Sequence, residues 1–277
     1  MIPPDQLEMH RRFNRNSAGC WDDYAEHRGK VTGLLREHAG GRLVILGAGN
    51  MNDLDLPWVV GAFSDVHLVD LDTEALERGL GRQAEEVRAR LTGHAPVDVT
   101  GSLERLKRYV KTAPTAADLD GLIRAPAEAV PGQLPGPFDC VLSDCLLGQI
   151  MHSCRKAMGD SPHLGVVAQA TAMGHLNLLA GMCRPGGTVL LVTDTVSSET
   201  YPLEELWGEQ PPLELLTYLE KTDNTFSGTG PSYVRRLLNR EPLRPQFDGA
   251  RLVEPWLWRL GEKVTLLAYA LVLRRKA

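Results

Sequence analysis

Short apolar runs alternate along the chain with stretches of helical spacing. Leu43-Val-Ile-Leu46, Val66-His-Leu-Val-Asp70, Val97-Asp-Val-Thr100, Phe138-Asp-Cys-Val-Leu-Ser-Asp144 and Thr188-Val-Leu-Leu-Val-Thr-Asp194 read as five strands. Several are apolar at successive positions, as strands covered on both faces are. Between them the spacing is helical. Gln6 to Ala39 sets Trp21, Tyr24 and Arg28, then Val31, Leu34 and Leu35, at three- and four-residue steps before Gly40-Gly41 stops the pattern. Asp55 ahead of Pro57 predicts a capped helix to about Phe63; Thr73 to Arg90 predicts an exposed amphipathic helix, and Leu103 to Val110 a short one. A long helical region ends at Arg184-Pro-Gly-Gly187. Strands alternating with helices specify a doubly wound parallel sheet.

Two segments depart from this rhythm. Residues 112–137, rich in Ala, Pro and Gly, read as an insertion, and 199–245 as a second, loop-rich over 199–231 and suited to a lid. At the end, Leu252 to Leu260 and Val264 to Arg274 are β-rich and flank Gly261-Glu-Lys263, a hairpin pattern.

The first strand ends abruptly in Gly47-Ala48-Gly49, and the second carries Asp70 at its tip. The first glycine permits a tight turn and the second lets backbone approach a ligand closely. Their distance from Asp70 is near the ~20 residues that separate a glycine turn from a ribose-binding acid in nucleotide-binding folds. An adenosine-containing cofactor at the carboxyl ends of the first two strands follows as the expectation.

Composition narrows the class. The 277 residues, 43% hydrophobic and 23% charged, suit one large soluble domain. A net charge of -5 argues against a nucleic-acid partner, although Arg235, Arg236, Arg240 and Arg244 cluster. Five cysteines without paired CxxC spacing point to a reducing, cytoplasmic compartment and to no zinc site. No apolar run approaches a membrane span or signal-peptide length.

These motifs together resemble the class I S-adenosylmethionine-dependent methyltransferases over roughly residues 40–275. Leu43-Val-Ile-Leu-Gly-Ala-Gly49 is similar to the glycine-rich first motif, Val66–Asp70 to the second, and Phe138–Asp144 to the fourth-strand motif. Cys183-Arg-Pro-Gly-Gly-Thr-Val-Leu-Leu191 resembles the Arg-Pro-Gly-Gly entry into the fifth strand. The resemblance implies a Rossmann-like, three-layer α/β sandwich whose seven-stranded sheet is mostly parallel, with an antiparallel C-terminal hairpin strand. It implies a catalytic domain over 41–277, with residues 1–40 a helical segment covering the pocket. Departures are Ile45 where an acid is common, Met51 at the third glycine site, and Ser102 where an acid often meets the adenine.

By the same resemblance, S-adenosyl-L-methionine would contact Gly47, Ala48, Gly49, Asn50, Asp53, Asp70, Leu71, Ser102, Leu103, Asp144, Cys145 and Leu146. Tyr24 or Arg28 of the N-terminal segment would lie near the methionine carboxylate. Asp53 reads equally as a turn-stabilising acid and Asp144 as an ion-pair partner. His152, His163 and His175 are candidate general bases, His152 first because it follows the fourth strand. Trp207, Phe226 and Tyr233 could line an aromatic acceptor pocket. The expected acceptor is a small molecule or a peptide; the oligomeric state does not follow. The alternatives are a noncatalytic S-adenosylmethionine-binding protein and a dinucleotide oxidoreductase, the latter opposed by Asn52 at the third glycine of GxGxxG.

Overall fold

The computed structural model describes residues 2–208, 210–260 and 264–277; the expected turn at Gly261-Glu-Lys263 and the side chain of Trp207 lie outside the described residues. The strands are β1 (Arg42–Leu46), β2 (Asp65–Val69), β3 (Leu91–His94), β4 (Phe138–Asp144), β5 (Cys183–Ser197), β6 (Phe247–Leu260) and β7 (Val264–Arg275). They form one seven-stranded sheet in the order β3-β2-β1-β4-β5-β7-β6. β1 to β5 pair in parallel, and β7 runs antiparallel to both β5 and β6. The chain thus winds outward from β1 to β3 and then returns to start the other half at β4. In such sheets the gap at that reversal, beyond the carboxyl ends of the strands, is where ligands bind.

The two faces of the sheet separate by the period-2 rule. Val44, Leu46, Val141, Val189, Leu191 and Leu271 belong to one buried cluster. Leu43, Ile45, Leu142, Leu190, Val192 and Ala270, one residue out of phase, belong to another. Helices α1 (Pro4–Ser17), α2 (Ala25–Arg36), α3 (Leu56–Ala62), α4 (Thr73–Gly81) and α5 (Glu85–Arg88) precede β3. Val31 and Leu35 of α2, Val59 of α3 and Leu76 of α4 fill the second cluster. On the other side lie α6 (Ala116–Ala129), α7 (Leu146–Met158), α8 (Leu164–Met182), α9 (Leu203–Trp207), α10 (Pro212–Lys221) and α11 (Pro231–Leu238). Leu147, Leu176, Leu216 and Val234 from these helices fill the first cluster.

Three expectations need correction. Val97–Thr100 is not the third strand: Leu91-Thr-Gly-His94 pairs with β2 instead, with Val66 opposite Leu91. As an edge strand with only one neighbour it leaves Thr92 and Gly93 exposed, so it lacks the apolar run that marks β1. The Thr73–Arg90 helix stops at Gly81 and resumes briefly at Glu85. The N-terminal helix breaks between Ser17 and Ala25. Residues 112–137 hold a 14-residue helix, α6, entered through a capping box in which Thr115 and Asp118 satisfy each other's backbone N–H. Segment 199–245 likewise carries α9, α10 and α11, with Leu203, Leu215 and Leu219 buried. Asp55 does cap α3, accepting from Trp58 N at 3.3 Å.

Candidate functional site

At the end of β1 the chain turns at Gly47, whose φ is +86°. A Cβ there would sit 2.6 Å from the Asp144 carbonyl and 2.6 Å from Leu146 Cγ, so only glycine lets the β1 and β4 turns lock together. Opposite it, Cys145 adopts φ +50° between β4 and α7, a left-handed conformation that costs a side-chain-bearing residue energy and is found at functional turns. Asp70 Oδ2 accepts the Gly49 amide at 2.7 Å and Oδ1 the Asp72 amide at 2.8 Å. Burial pushes the Asp70 carboxyl up to about 6, against the pull of those amides.

Three cavities meet here. A narrow slot is bordered by Gly47, Asp70, Leu71, Leu103 and Leu146, with Asp98 and Thr100 beside them and His10 and Asn14 across it. A crevice of about 370 Å³ adjoins it, bordered by Tyr24, Gly49, Asn50, Asp53, Asp144 and Cys145. A third cavity of about 610 Å³ contains His152, Asp194 and Phe226. Phe13, Cys145, Gln149 and Trp258 border both larger spaces, and both volumes fall within the range of small-molecule sites.

Most residues singled out from sequence therefore gather around one junction, with exceptions. Ala48 is buried in the turn and borders none of the three spaces. Ser102 is turned into its own loop, its hydroxyl donating to Thr100 Oγ1 at 3.2 Å, and Asp98 is the acid that borders the slot. Arg28 points away, donating to the Trp21 and Asn52 carbonyls and lying 3.7 Å above the Trp21 ring. His175 is buried against Ser143 at 2.8 Å and borders none of these three cavities. Tyr233, on α11, packs against the core. His10, Phe13, Asn14 and Gln149 border the site without having been anticipated. Their types and spacing fit an ordinary amphipathic helix face, so the sequence carries no signal for them.

The polar loop after Gly49 has a structural use. Asn50 Nδ2 donates to the Asn14 carbonyl and Asn52 Nδ2 to the Ser17 carbonyl, at 2.6 and 2.7 Å. These cap free carbonyls at the end of α1. Asn14 Nδ2 reaches Asp72 at 3.0 Å, and His10 Nε2 lies 2.9 Å from Ser153 Oγ on α7. α1 is thereby strapped across the slot.

The electrostatics of the crevice are unusual. Asp144 is 1% exposed, and neither carboxylate oxygen has a hydrogen-bond partner. Burial and the neighbouring Asp53 charge push its pKa well up. Asp53 is raised to about 7, chiefly by burial. Its Oδ1 lies 3.3 Å from His27 Nε2 without the alignment of a hydrogen bond. Isolated buried carboxylates are costly, and they hold a proton or await a cation.

His27, Asp144 and Cys145 bring possible ligand atoms within 4.8 Å of one another. However, Trp256 Nε1 donates to His27 Nδ1 at 3.2 Å. An indole N–H can only donate, so in the neutral ring Nδ1 is the acceptor and Nε2 carries the proton. A metal-bound histidine requires the reverse arrangement, its outer nitrogen donating. His27 therefore offers the cluster no lone pair. Cys145 is held as a thiol by burial and by the Asp144, Asp53 and Asp194 charges.

The sheet order, with β7 alone reversed, and the glycine turn facing an acid at the tip of β2 complete a recognisable arrangement. The fold is that of the class I methyltransferases. Neither a protein-family model nor a curated protein matches the chain. Solved structures of similar backbone include the N-methyltransferase NodS from Bradyrhizobium japonicum WM9 in complex with S-adenosyl-L-homocysteine. It is 13% identical over 98% of this chain and 99% of that one, with a TM-score of 0.48. The methyltransferase domain of bacterial CtHen1-CN is 13% identical over 89% and 96%, at 0.44. An rRNA methylase from Streptococcus thermophilus is 13% identical over 88% and 93%, at 0.39. At these values the likeness says nothing of substrate or activity.

Proposed function

We propose that the protein is a methyltransferase using S-adenosyl-L-methionine, with the ribose on Asp70 at the mouth of the slot, the methionyl end in the crevice, and a small-molecule or peptide acceptor in the third cavity; at about 40 Å³ the slot admits the adenine only when α1 shifts. The charge of the crevice carries this reading. Asp53 and Asp144 border it, Asp70 closes its glycine turn, and no Lys, Arg or His is among its described lining residues. A dinucleotide would bring its pyrophosphate to that turn. Each pair of like unit charges 4 Å apart costs about 4 kcal/mol near a protein surface. S-adenosyl-L-methionine brings two positive groups, sulfonium and ammonium, against one carboxylate, so its net charge is attracted by these acids while its sugar hydroxyls suit Asp70.

The residues fit that ligand. Each Asp70 oxygen accepts one amide and keeps a second acceptor position, enough for two ribose hydroxyls. Asp53 and Asp144 would take the ammonium group, satisfying oxygens that now have no partner. Tyr24, Asn50 and the Gly49 amide surround the methionyl end, Leu71, Leu103 and Leu146 the adenosine, and the Ala48 turn shapes the floor. The Ser102 loop, through Asp98 and Thr100, would recognise the adenine edge. Arg28 would act at a distance by steadying the Asn52 loop. When bound, the cofactor supplies a methyl group already activated by a positive sulfur. The protein's task is alignment and exclusion of water. Cys145 and Trp258 form the passage between donor and acceptor spaces. His152 borders the acceptor cavity, and burial together with Arg12, Lys156 and Arg155 lowers its pKa, leaving a neutral ring able to accept a proton near pH 7.

Among the described residues no helix is long and apolar enough to cross a membrane, and the five free cysteines suit the cytoplasm we propose for the protein. Calorimetric titration with S-adenosylhomocysteine and with NADH tests the reading. Binding of the first and not the second is expected; binding of NADH alone would overturn it.

A further inference from the structure

The third cavity is bordered by a half-buried carboxylate, Asp194. Asp194 lies toward the carboxyl end of β5, where the pairing with β7 shifts register between Asp194 and Val196. A bulge of this kind re-aims a side chain and recurs beside active sites. Gly148, in the first turn of α7, faces it: a Cβ there would lie 3.4 Å from Asp194 Oδ1, so the missing side chain leaves room beside the carboxylate. The acid is near the passage to the donor crevice, since its charge helps keep the Cys145 thiol protonated. Beyond its own backbone N–H, no donor or cation pairs with the carboxylate among the described residues. Burial raises its pKa. Phe13, Met151, Leu164, Phe226, Trp258 and Leu266 supply apolar and aromatic wall around it, with Gln149, Ser197, Ser227 and Thr229 as uncharged polar groups. The charged lining groups Arg155 and Glu199 are exposed, as is His152.

We propose that this cavity takes an amine with an apolar or aromatic body, and that Asp194 holds the ammonium group and accepts the proton the nitrogen must lose. The inference rests on the donor reading above for its chemical step. A carboxylic acid would face repulsion from a desolvated aspartate, and an alcohol would leave its charge unpaired. An ammonium group satisfies it. The alkylammonium pKa of about 10.4 in water falls on desolvation while that of the acid rises, which narrows the gap for proton transfer. The ammonium gives one proton to an Asp194 oxygen and so frees the nitrogen lone pair. That pair forms the new N–C bond as the methyl carbon–sulfur bond breaks, its electrons remaining on sulfur. The product leaves as a methylated ammonium ion, and Asp194 returns its proton to water.

Three probes of one shape separate the chemistries: 2-phenylethylamine, 2-phenylethanol and 3-phenylpropionate, titrated calorimetrically into the full-length protein with and without saturating S-adenosylhomocysteine. The amine is expected to bind at least tenfold more tightly than either analogue. Asp194→Asn should abolish that preference while leaving the alcohol's affinity within about twofold. Equal or tighter binding of the alcohol or acid, no binding of the amine, or a preference that survives Asp194→Asn would overturn the proposal. Selectivity of the unmodified protein decides the matter even if the variant does not fold. Titration of S-adenosylhomocysteine alone reports on the donor site separately, so its failure leaves the amine result readable.

Discussion

Asp144 is buried and Asp53 mostly so, their charges oppose each other, and both pKa values are raised although Arg28 pulls that of Asp53 down. A group raised in the folded state favours folding below its ordinary pKa and loses that contribution as pH climbs through the folded value. For Asp53 the window runs from the reference 3.8 to about 7. Asp53→Asn should therefore gain stability relative to the parent as pH rises from 5 to 8, measured by urea unfolding at both values; a constant difference would contradict the assignment. By the same logic, the ammonium group of the proposed ligand would favour ionised Asp53. Affinity for S-adenosylhomocysteine, which carries that ammonium, should increase with pH up to about 7, with proton release visible as a dependence of the calorimetric heat on buffer ionisation enthalpy. Asp70→Ala should weaken that binding by about 1–3 kcal/mol, the scale of hydrogen bonds to a charged group; unchanged affinity would remove Asp70 from the site. Met51 shows how a departure from a motif is absorbed. It stands where a third glycine is common, keeps a φ of +60°, and is fully buried. Gly79 makes room for it: a Cβ there would lie 2.8 Å from Met51 Sδ and 2.9 Å from the Asn50 carbonyl. Gly79→Ala should thus lower stability by about 1–3 kcal/mol despite alanine's better helix propensity, as thermal unfolding would report.

At the level of elements, legibility tracked burial. β1, β4 and β5 are paired on both sides, so their apolar runs announced them. β3 has one neighbour and a mostly polar sequence, and the buried Val97 and Val99 nearby mimicked it while lining the slot. α6 was hidden by Pro126 and by glycine, which usually punctuate, yet its capping box and its buried Leu122 and Ala125 sustain it. Thr115→Ala should cost about 1 kcal/mol by removing that cap, measurable by chemical denaturation. A neutral result would mean α6 is held by packing alone. Asp55 and the Arg-Pro-Gly-Gly stop were readable because capping and helix termination are local. The break after Ser17 was not, because it depends on Asn50 and Asn52 meeting the end of α1 from a distant turn.

Across the whole molecule, the reversal of winding between β1 and β4 sets the crevice, and α1 borders it through Phe13, Asn14, Asn16 and Ser17. The glycine turn and Asp70 were legible because they directly follow β1 and β2. The lining of the third cavity was not: Phe13, Gln149, Asp194 and Trp258 come from four elements that only the tertiary arrangement brings together. His152 was anticipated from its place after β4, whereas Asp194 appeared only as the last residue of an apolar run. The most direct measurement is a crystal structure with S-adenosylhomocysteine. The ribose hydroxyls should lie on Asp70, the ammonium group between Asp53 and Asp144, and the sulfur at the passage beside Cys145. A ligand bound elsewhere, or in this crevice with its ammonium group turned from both acids, would contradict the central claim.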